Sequence, residues 1–211
     1  FTDGKTIVPM VSSQDHKRAH DNDEGANTGG MGTFSPSKAY TPDIAKETEE
    51  KIILPTMRAM NAEGRTFKGV LYFGLMLTAE GVKVLEYNAR FGDPETQVVL
   101  PRLKSDLYEI FDAVIDERLE DIRIEWDDEA AVCVIMASGG YPGSYRKGVP
   151  IEIGALDPDI AIYHAGTARD AEGRLVTSGG RVLGVTAKGK DIDEARAKAY
   201  ANVGRIKFDG A

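Results

Sequence analysis

The 211-residue sequence holds 34 acidic against 26 basic residues, a formal net charge of -8, with 42% hydrophobic and 28% charged residues. Such a balance excludes an intrinsically disordered chain and a nonspecific nucleic-acid binder, which needs a basic stripe to neutralise phosphates. One cysteine, Cys133, excludes an internal disulfide, and the absence of a membrane-length apolar run or a signal-peptide pattern makes the cytoplasm the expected location, with no membrane partner.

In chain order, Asp3-Gly4 is a hairpin-turn signal followed by the apolar run from Ile7 to Val11. Almost nothing precedes the turn, and Ile206-Lys207-Phe208 reads as a strand that stops at Ala211. Together these predict a fragment cut at both ends. Ser12 to Tyr40, rich in Asp, Asn, Gly and His, is expected to be a long loop with little core. Thr41-Pro42-Asp43 opens a helix with Ile44, Thr48 and Ile52 on one stripe, which Pro55 should kink or break. Strands follow at Gly69 to Thr78 and Val82 to Asn88, then Asp93-Pro94-Glu95 as a helix start, and a helix capped by Ser105. An acidic stretch from Leu119 to Glu129 marks the expected domain boundary, giving domains over 1–120 and 130–211. Beyond it, Ala130 to Ala137 reads as a buried strand, with shorter strands near Ile151, Ile160 to His164, Leu175 to Thr177 and Arg181 to Thr186. Asp191 and Glu194 form a capping-box pattern for a last helix, with Ile192, Ala195, Ala199, Val203 and Ile206 as its buried stripe. The second half is thus a small antiparallel sheet with one packed helix, and the fold class is α+β.

Three stretches can carry chemistry. Alternate residues of a strand share a face, about 6–7 Å apart, so Glu86, Asn88 and Arg90 point one way while Leu85 and Tyr87 point into the opposite layer. A carboxylate beside an amide oxygen suits Mg²⁺ or Mn²⁺, and an arginine beyond them can clamp a phosphate or acyl-phosphate. A solvent-facing strand edge is the alternative. In the second stretch, Asp15 can meet an amine, and Lys17 and Arg18 a phosphate. Asn27-Thr28-Gly29-Gly30-Met31-Gly32 can turn its amides inward as an anion nest. A flexible surface loop is the alternative there. His16 and His20 have zinc-ligand spacing without a helical pattern or a third soft ligand, which argues against zinc. Cys133, inside an apolar strand, reads as core, and Trp126 as a packing anchor. The third stretch, Ser138-Gly139-Gly140-Tyr141-Pro142-Gly143, reads alone as a structural loop.

The Gln14–Arg18 segment, the Asn27–Gly32 segment, Asn88-Ala89-Arg90-Phe91-Gly92-Asp93-Pro94-Glu95 and the Ser138–Gly143 segment, in this order, resemble the glycinamide ribonucleotide synthetase (phosphoribosylamine–glycine ligase) family along essentially the whole chain. The resemblance implies part of an ATP-grasp subdomain, mostly antiparallel sheet with helices, followed by a small antiparallel β domain. It implies a ligase that uses ATP and Mg²⁺ or Mn²⁺ to join glycine to 5-phosphoribosylamine through glycyl phosphate. Glu86 and Asn88 match the family's metal pair and Arg90 its phosphate-contacting arginine. Asp15, Lys17, Arg18, Asn27, Thr28, Gly29, Gly30, Gly32 and Asp93 fall where substrates are approached. The preceding strand, Leu71 to Leu77, offers no second acidic ligand of the kind many ATP-grasp enzymes place there. The amino-terminal part of the family's enzyme, including the cover over adenine, is expected to be a missing partner, without which the fragment should be inactive. Another ATP-grasp carboxylate–amine ligase and a non-catalytic phosphate-binding module remain the alternatives.

Overall fold

The computed structural model describes residues 1–211. Its chain forms two compact units, each assembled from separated stretches of sequence. The first comprises Phe1–Ser12, Ser37–Gly92 and Leu103–Asp127; the second comprises Ser13–Pro36, Asp93–Arg102 and Asp128–Ala211.

The second unit holds the main sheet. Its first two strands are β1 (Gln14–His20) and β2 (Glu24–Ser35), so the stretch expected to be a long loop is a hairpin. Its polar side chains hid the strands: both edges of β1 are wet except at Ala19 and Asp15, leaving no apolar alternation to detect. Within the first unit lie α1 (Pro42–Thr48) and α2 (Leu54–Ala62), separated by a π turn over Glu49–Ile53. Pro55 does not end this helix, whose backbone stays helical through Ile53 and Leu54, but the hydrogen-bond ladder is disturbed into the π turn immediately before it. The hairpin β3 (Tyr72–Thr78) and β4 (Gly81–Asn88) follows.

In the second unit α3 (Thr96–Val99) is a single turn. In the first, α4 (Leu107–Ile115) is capped by Asp106, whose carboxylate accepts from the Tyr108 amide at 2.8 Å, rather than by Ser105. Ile110 and Val114 of α4 join Phe1 and Leu119 in the first unit's core, with Trp126 packed against them. Asp3 is buried beneath this core and accepts from the amides of Lys5, Thr6 and Leu119, so the Asp-Gly turn is locked from within.

Beyond Asp128 come β5 (Ala130–Ala137), β6 (Glu152–Ile153), β7 (Ala161–His164), β8 (Thr167–Arg169), β9 (Leu175–Thr177) and β10 (Arg181–Gly189). The chain ends with α5 (Ile192–Val203) and β11 (Ile206–Lys207). The five-stranded antiparallel sheet runs β1-β2-β5-β10-β7. β5 and β10 are central, which is why both read as nearly continuous apolar runs. Ala195 and Ala199 of α5 pack on Val132 and Ala187, and Asp191 caps the helix by accepting from the Glu194 amide at 2.9 Å. The reciprocal bond of the expected capping box goes instead to the Lys190 amide, at 3.2 Å. No helix is long and apolar enough to cross a membrane.

Candidate functional site

In the first unit, β3 and β4 pair antiparallel with Gly74 opposite Glu86. A β-carbon at Gly74 would fall 2.8 Å from the Glu86 Cγ, so only glycine lets the Glu86 stem cross its partner strand. The register shifts between Gly74 and Leu75, leaving an irregularity at Leu85. The alternation expected here holds from Glu86 to Asn88 and breaks at Leu85. Leu85 and Tyr87 are not buried in an opposite layer but are 62% and 47% exposed. Tyr87 instead lies edge-on to Phe73 and exchanges a hydrogen bond with the Thr56 hydroxyl at 3.0 Å.

Regular strand ends at Asn88, and the following bend carries Arg90 back beside it. The guanidinium donates to the Phe91 carbonyl at 2.7 Å and to the Asn88 Oδ1 at 3.4 Å. Glu86 and Asn88 thus share one face of the strand, and Arg90 contacts Asn88. An amide oxygen has two lone pairs, so the Arg90 contact leaves Asn88 able to ligate. With Glu86 it makes a two-oxygen hard donor set. That suits magnesium, which keeps several waters and takes further ligands from substrate phosphates. The chain has no group of three or more His, Cys, Asp and Glu fit for a metal. His16 and His20 lie on a strand, His16 against Phe34 and His20 against Gly25, so they form no zinc pair.

In the second unit, the irregular β1–β2 hairpin surrounds Asp15. Its register shifts between His16 and Arg18 and again before His20, where Asn22 and Asp23 adopt positive φ. Both carboxylate oxygens of Asp15 are shielded from solvent with no hydrogen-bond partner, although the residue as a whole is only half-buried. Burial, then the negative charge of buried Glu95, push its pKa up to about 7, against the opposing pull of Lys17, the His16 amide and Arg181. One wall of this cradle is Gly30, at φ +117°, where a β-carbon would fall 2.4 Å from Pro94 Cδ and 2.7 Å from Asp15 Oδ1.

The glycine-rich stretch is strand, not an anion nest. The Gly29 amide donates to the Tyr141 hydroxyl at 3.2 Å and the Gly30 amide to the Thr28 hydroxyl at 3.0 Å. Gly32 to Ser35 pair with β5. The local pattern of three glycines could not show that the Gly29 amide finds its partner far along the chain. Thr28 also donates to the Lys17 carbonyl at 2.8 Å, and Arg18 to the Gly25 carbonyl at 2.8 Å. Asn27 lies opposite Arg18 on the exposed hairpin. Asp93 is not a helix cap: its carboxylate accepts from the Gln97 amide group at 2.9 Å and from Arg181 at 3.0 Å. Glu95 and Arg181 were missed as site residues in the sequence. Glu95 lay inside a quoted motif, whereas Arg181 opens an apolar strand and gave no signal.

The amino-terminal stretch matches the family model described as phosphoribosylglycinamide synthetase, ATP-grasp (A) domain, over residues 1–96. The phosphoribosylglycinamide synthetase C domain matches over residues 131–211. The chain is 48% identical over 216 residues to a phosphoribosylamine–glycine ligase of Vigna unguiculata, covering 100% of this chain and 70% of that protein. It belongs to the phosphoribosylamine–glycine ligase family. A ligase of the same name from Halalkalibacterium halodurans is 49% identical over 211 residues, 100% of this chain and 49% of its own length. A solved phosphoribosylamine–glycine ligase from Thermotoga maritima is similar with a TM-score of 0.82 at 36% identity, covering 98% of this chain and 51% of that one. The chain thus spans about half the length of most of the relatives it matches. Membership in this ATP-grasp ligase family accounts for the mixed helix and antiparallel-sheet architecture of both units.

Proposed function

We propose that this chain forms part of an enzyme that joins glycine to 5-phosphoribosylamine with ATP, through glycyl phosphate, yielding glycinamide ribonucleotide, ADP and phosphate. The observation that carries the reading is Glu86 and Asn88 on one face at the end of a strand, with Arg90 bonded to Asn88, in a member of this ligase family. Glu86 and Asn88 would hold Mg²⁺ or Mn²⁺, with water and phosphate oxygens completing the shell. Bound there, the ion supplies charge neutralisation at the transferring phosphoryl oxygens. Arg90 turns from the Phe91 carbonyl to pair with a phosphate or acyl-phosphate oxygen, as a guanidinium fork does well.

Asp15 receives the ammonium group of glycine. A shielded carboxylate without a donor, backed by the charge of Glu95, is costly alone and is relieved by a cation. Exposed Lys17 and Arg18 add positive charge where phosphates approach. Asn27, Thr28, Gly29, Gly30, Gly32 and Asp93 shape the walls of the amine site rather than binding anions. The division into a partial ATP-grasp domain over 1–120 and a small domain over 130–211 belongs to the same reading. It is supported by separate family models ending at 96 and starting at 131. The greater length of the relatives supports an amino-terminal part of the same enzyme as partner, and a cytoplasmic location completes the proposal.

The test is ADP release by the full-length ligase carrying this chain, with Mg²⁺–ATP, phosphoribosylamine and either glycine, alanine or β-alanine. Glycine alone should support turnover, and Glu86→Gln should lower it by at least about 10²-fold, as expected for lost charge stabilisation. Equal rates with all three acids, or an unaffected Glu86→Gln, would sink the assignment.

A further inference from the structure

Arg181 and Tyr141 lie far apart in sequence from the amine cradle, yet both reach its walls. Arg181 is the first residue of β10, at a register irregularity between it and Leu183, which turns the side chain off the sheet's regular course. Its side chain is only 21% exposed. One guanidinium nitrogen donates to the Gly29 carbonyl at 2.8 Å and to the Asp93 carbonyl at 2.9 Å, and the other to the Asp93 carboxylate at 3.0 Å. Tyr141 holds the preceding peptide group, by accepting from the Gly29 amide, so the two peptides that flank the Gly29 α-carbon are each gripped. Tyr141 is itself fixed. The Ser138 amide and hydroxyl donate to the carbonyls of Gly180 and Gly179 at 2.7 and 2.8 Å. A β-carbon at Gly180 would sit 2.2 Å from the Tyr141 ring, so the ring occupies the space a side chain would fill.

The residues gripped are the immediate neighbours of the cradle. Gly30 follows Gly29 and Pro94 follows Asp93, and a β-carbon on Gly30 would strike both Pro94 and the Asp15 carboxylate. We propose that Arg181 and Tyr141 are positioning residues that pin the Gly29–Gly30 strand segment and the Asp93–Pro94 turn around Asp15, presenting a preformed, water-excluded carboxylate to the substrate amine. This deepens the amine-site reading above and rests on it. Neither residue touches substrate; they act through the backbone that walls Asp15. The guanidinium fork is what makes the arrangement possible, since a lysine ammonium cannot span two carbonyls and a carboxylate in one plane.

The test separates the clamp from a mere charge effect by sign. Arg181→Gln and Tyr141→Phe would be made in this chain, and the Asp15 carboxyl titrated by carbon NMR. If Arg181 acts only through its positive charge, its removal raises the Asp15 pKa further above about 7. If it clamps the walls, water enters and the value falls toward the ordinary 3.8. Tyr141→Phe changes no charge and should lower the value too. Arg181→Lys should not rescue. Should Arg181→Gln fail to fold, Gly29→Ala replaces it, because its β-carbon would stand 3.0 Å from the guanidinium carbon.

The same variants are then assayed in the full-length ligase, where an amine site displaced by about 1 Å should weaken glycine use on the order of 10- to 100-fold, with the KM for ATP unchanged. A fall in the Asp15 pKa with raised glycine KM supports clamp and amine site together. A fall in pKa with unchanged glycine KM keeps the clamp and overturns the amine reading. A pKa that rises in Arg181→Gln and stays put in Tyr141→Phe overturns the clamp.

Discussion

Replacing Asp15 by asparagine should stabilise the fold at neutral and alkaline pH while removing its amine-binding capacity. The folded-state value of about 7 lies above the ordinary 3.8, so between those two values the folded chain holds a proton that the unfolded chain has released. Stability therefore falls as pH rises through this window and levels off above about 7. Below about pH 4 the carboxyl is protonated in both states and costs nothing. The interval of roughly three pH units sets a ceiling of about 4 kcal/mol, at about 1.4 kcal/mol per unit. The residue is only half-buried, although its oxygens are shielded, and solvent screening reduces the figure to about 1–2 kcal/mol. Asparagine cannot ionise and so avoids the penalty. Urea unfolding at pH 4.5, 6, 7.5 and 8.5 measures it. With a slope of about 2 kcal/mol per molar for a small protein, the midpoint of Asp15→Asn should exceed that of the parent by roughly 0.5–1 M above pH 7.5. That gain should shrink to about a quarter near pH 4.5 and vanish only below the ordinary value of 3.8. A difference independent of pH, or a variant less stable than the parent at pH 8.5, would refute the buried-carboxylate argument.

Gly30→Ala should cost about 2–4 kcal/mol, combining a disfavoured positive φ with overlap against Pro94 and Asp15. Gly173→Ala, at φ +80° with nothing within 4 Å, should cost only about 1 kcal/mol by urea unfolding, which isolates the steric part. Asn202 is fully buried; it donates to Asp157 Oδ2 at 3.0 Å and the Lys198 carbonyl at 2.9 Å, and accepts from the Asp157 amide at 3.0 Å. Asn202→Ala should therefore lose about 2–3 kcal/mol, read as a lower thermal midpoint. Burial pushes the Cys133 thiol up to about 11, leaving roughly one thiolate per thousand at pH 8. Iodoacetamide should label it in urea and leave it intact in the folded chain, as mass spectrometry would record.

Part of this protein is written locally. β5 is a continuous apolar run because a central strand is covered on both faces. α4 announces itself by apolar residues three and four apart, although its cap is Asp106 and not Ser105, and α5 by its Asp191 cap. Glu86 and Asn88 are legible as neighbours on one face because a strand preserves short-range spacing, whereas Arg90 lies past the strand's end and reaches Asn88 through a bend. Asp15 was visible as an amine candidate, although its shielding was not. What required tertiary structure has one cause: contacts between residues distant along the chain. The polar hairpin β1–β2 is a strand pair because β2 pairs with β5, about a hundred residues later. The Gly29 amide is spent on Tyr141, 112 residues away, rather than left for an anion. The bulge at Leu85, set by pairing with β3, interrupts the alternation just before Glu86. Arg181, unremarkable at the head of an apolar strand, becomes a clamp only when β10 brings it to Gly29 and Asp93, 152 and 88 residues away. Sequence patterns encode which faces seek burial, but the partner of a donor, and the burial of a carboxylate, exist only once the chain has closed on itself.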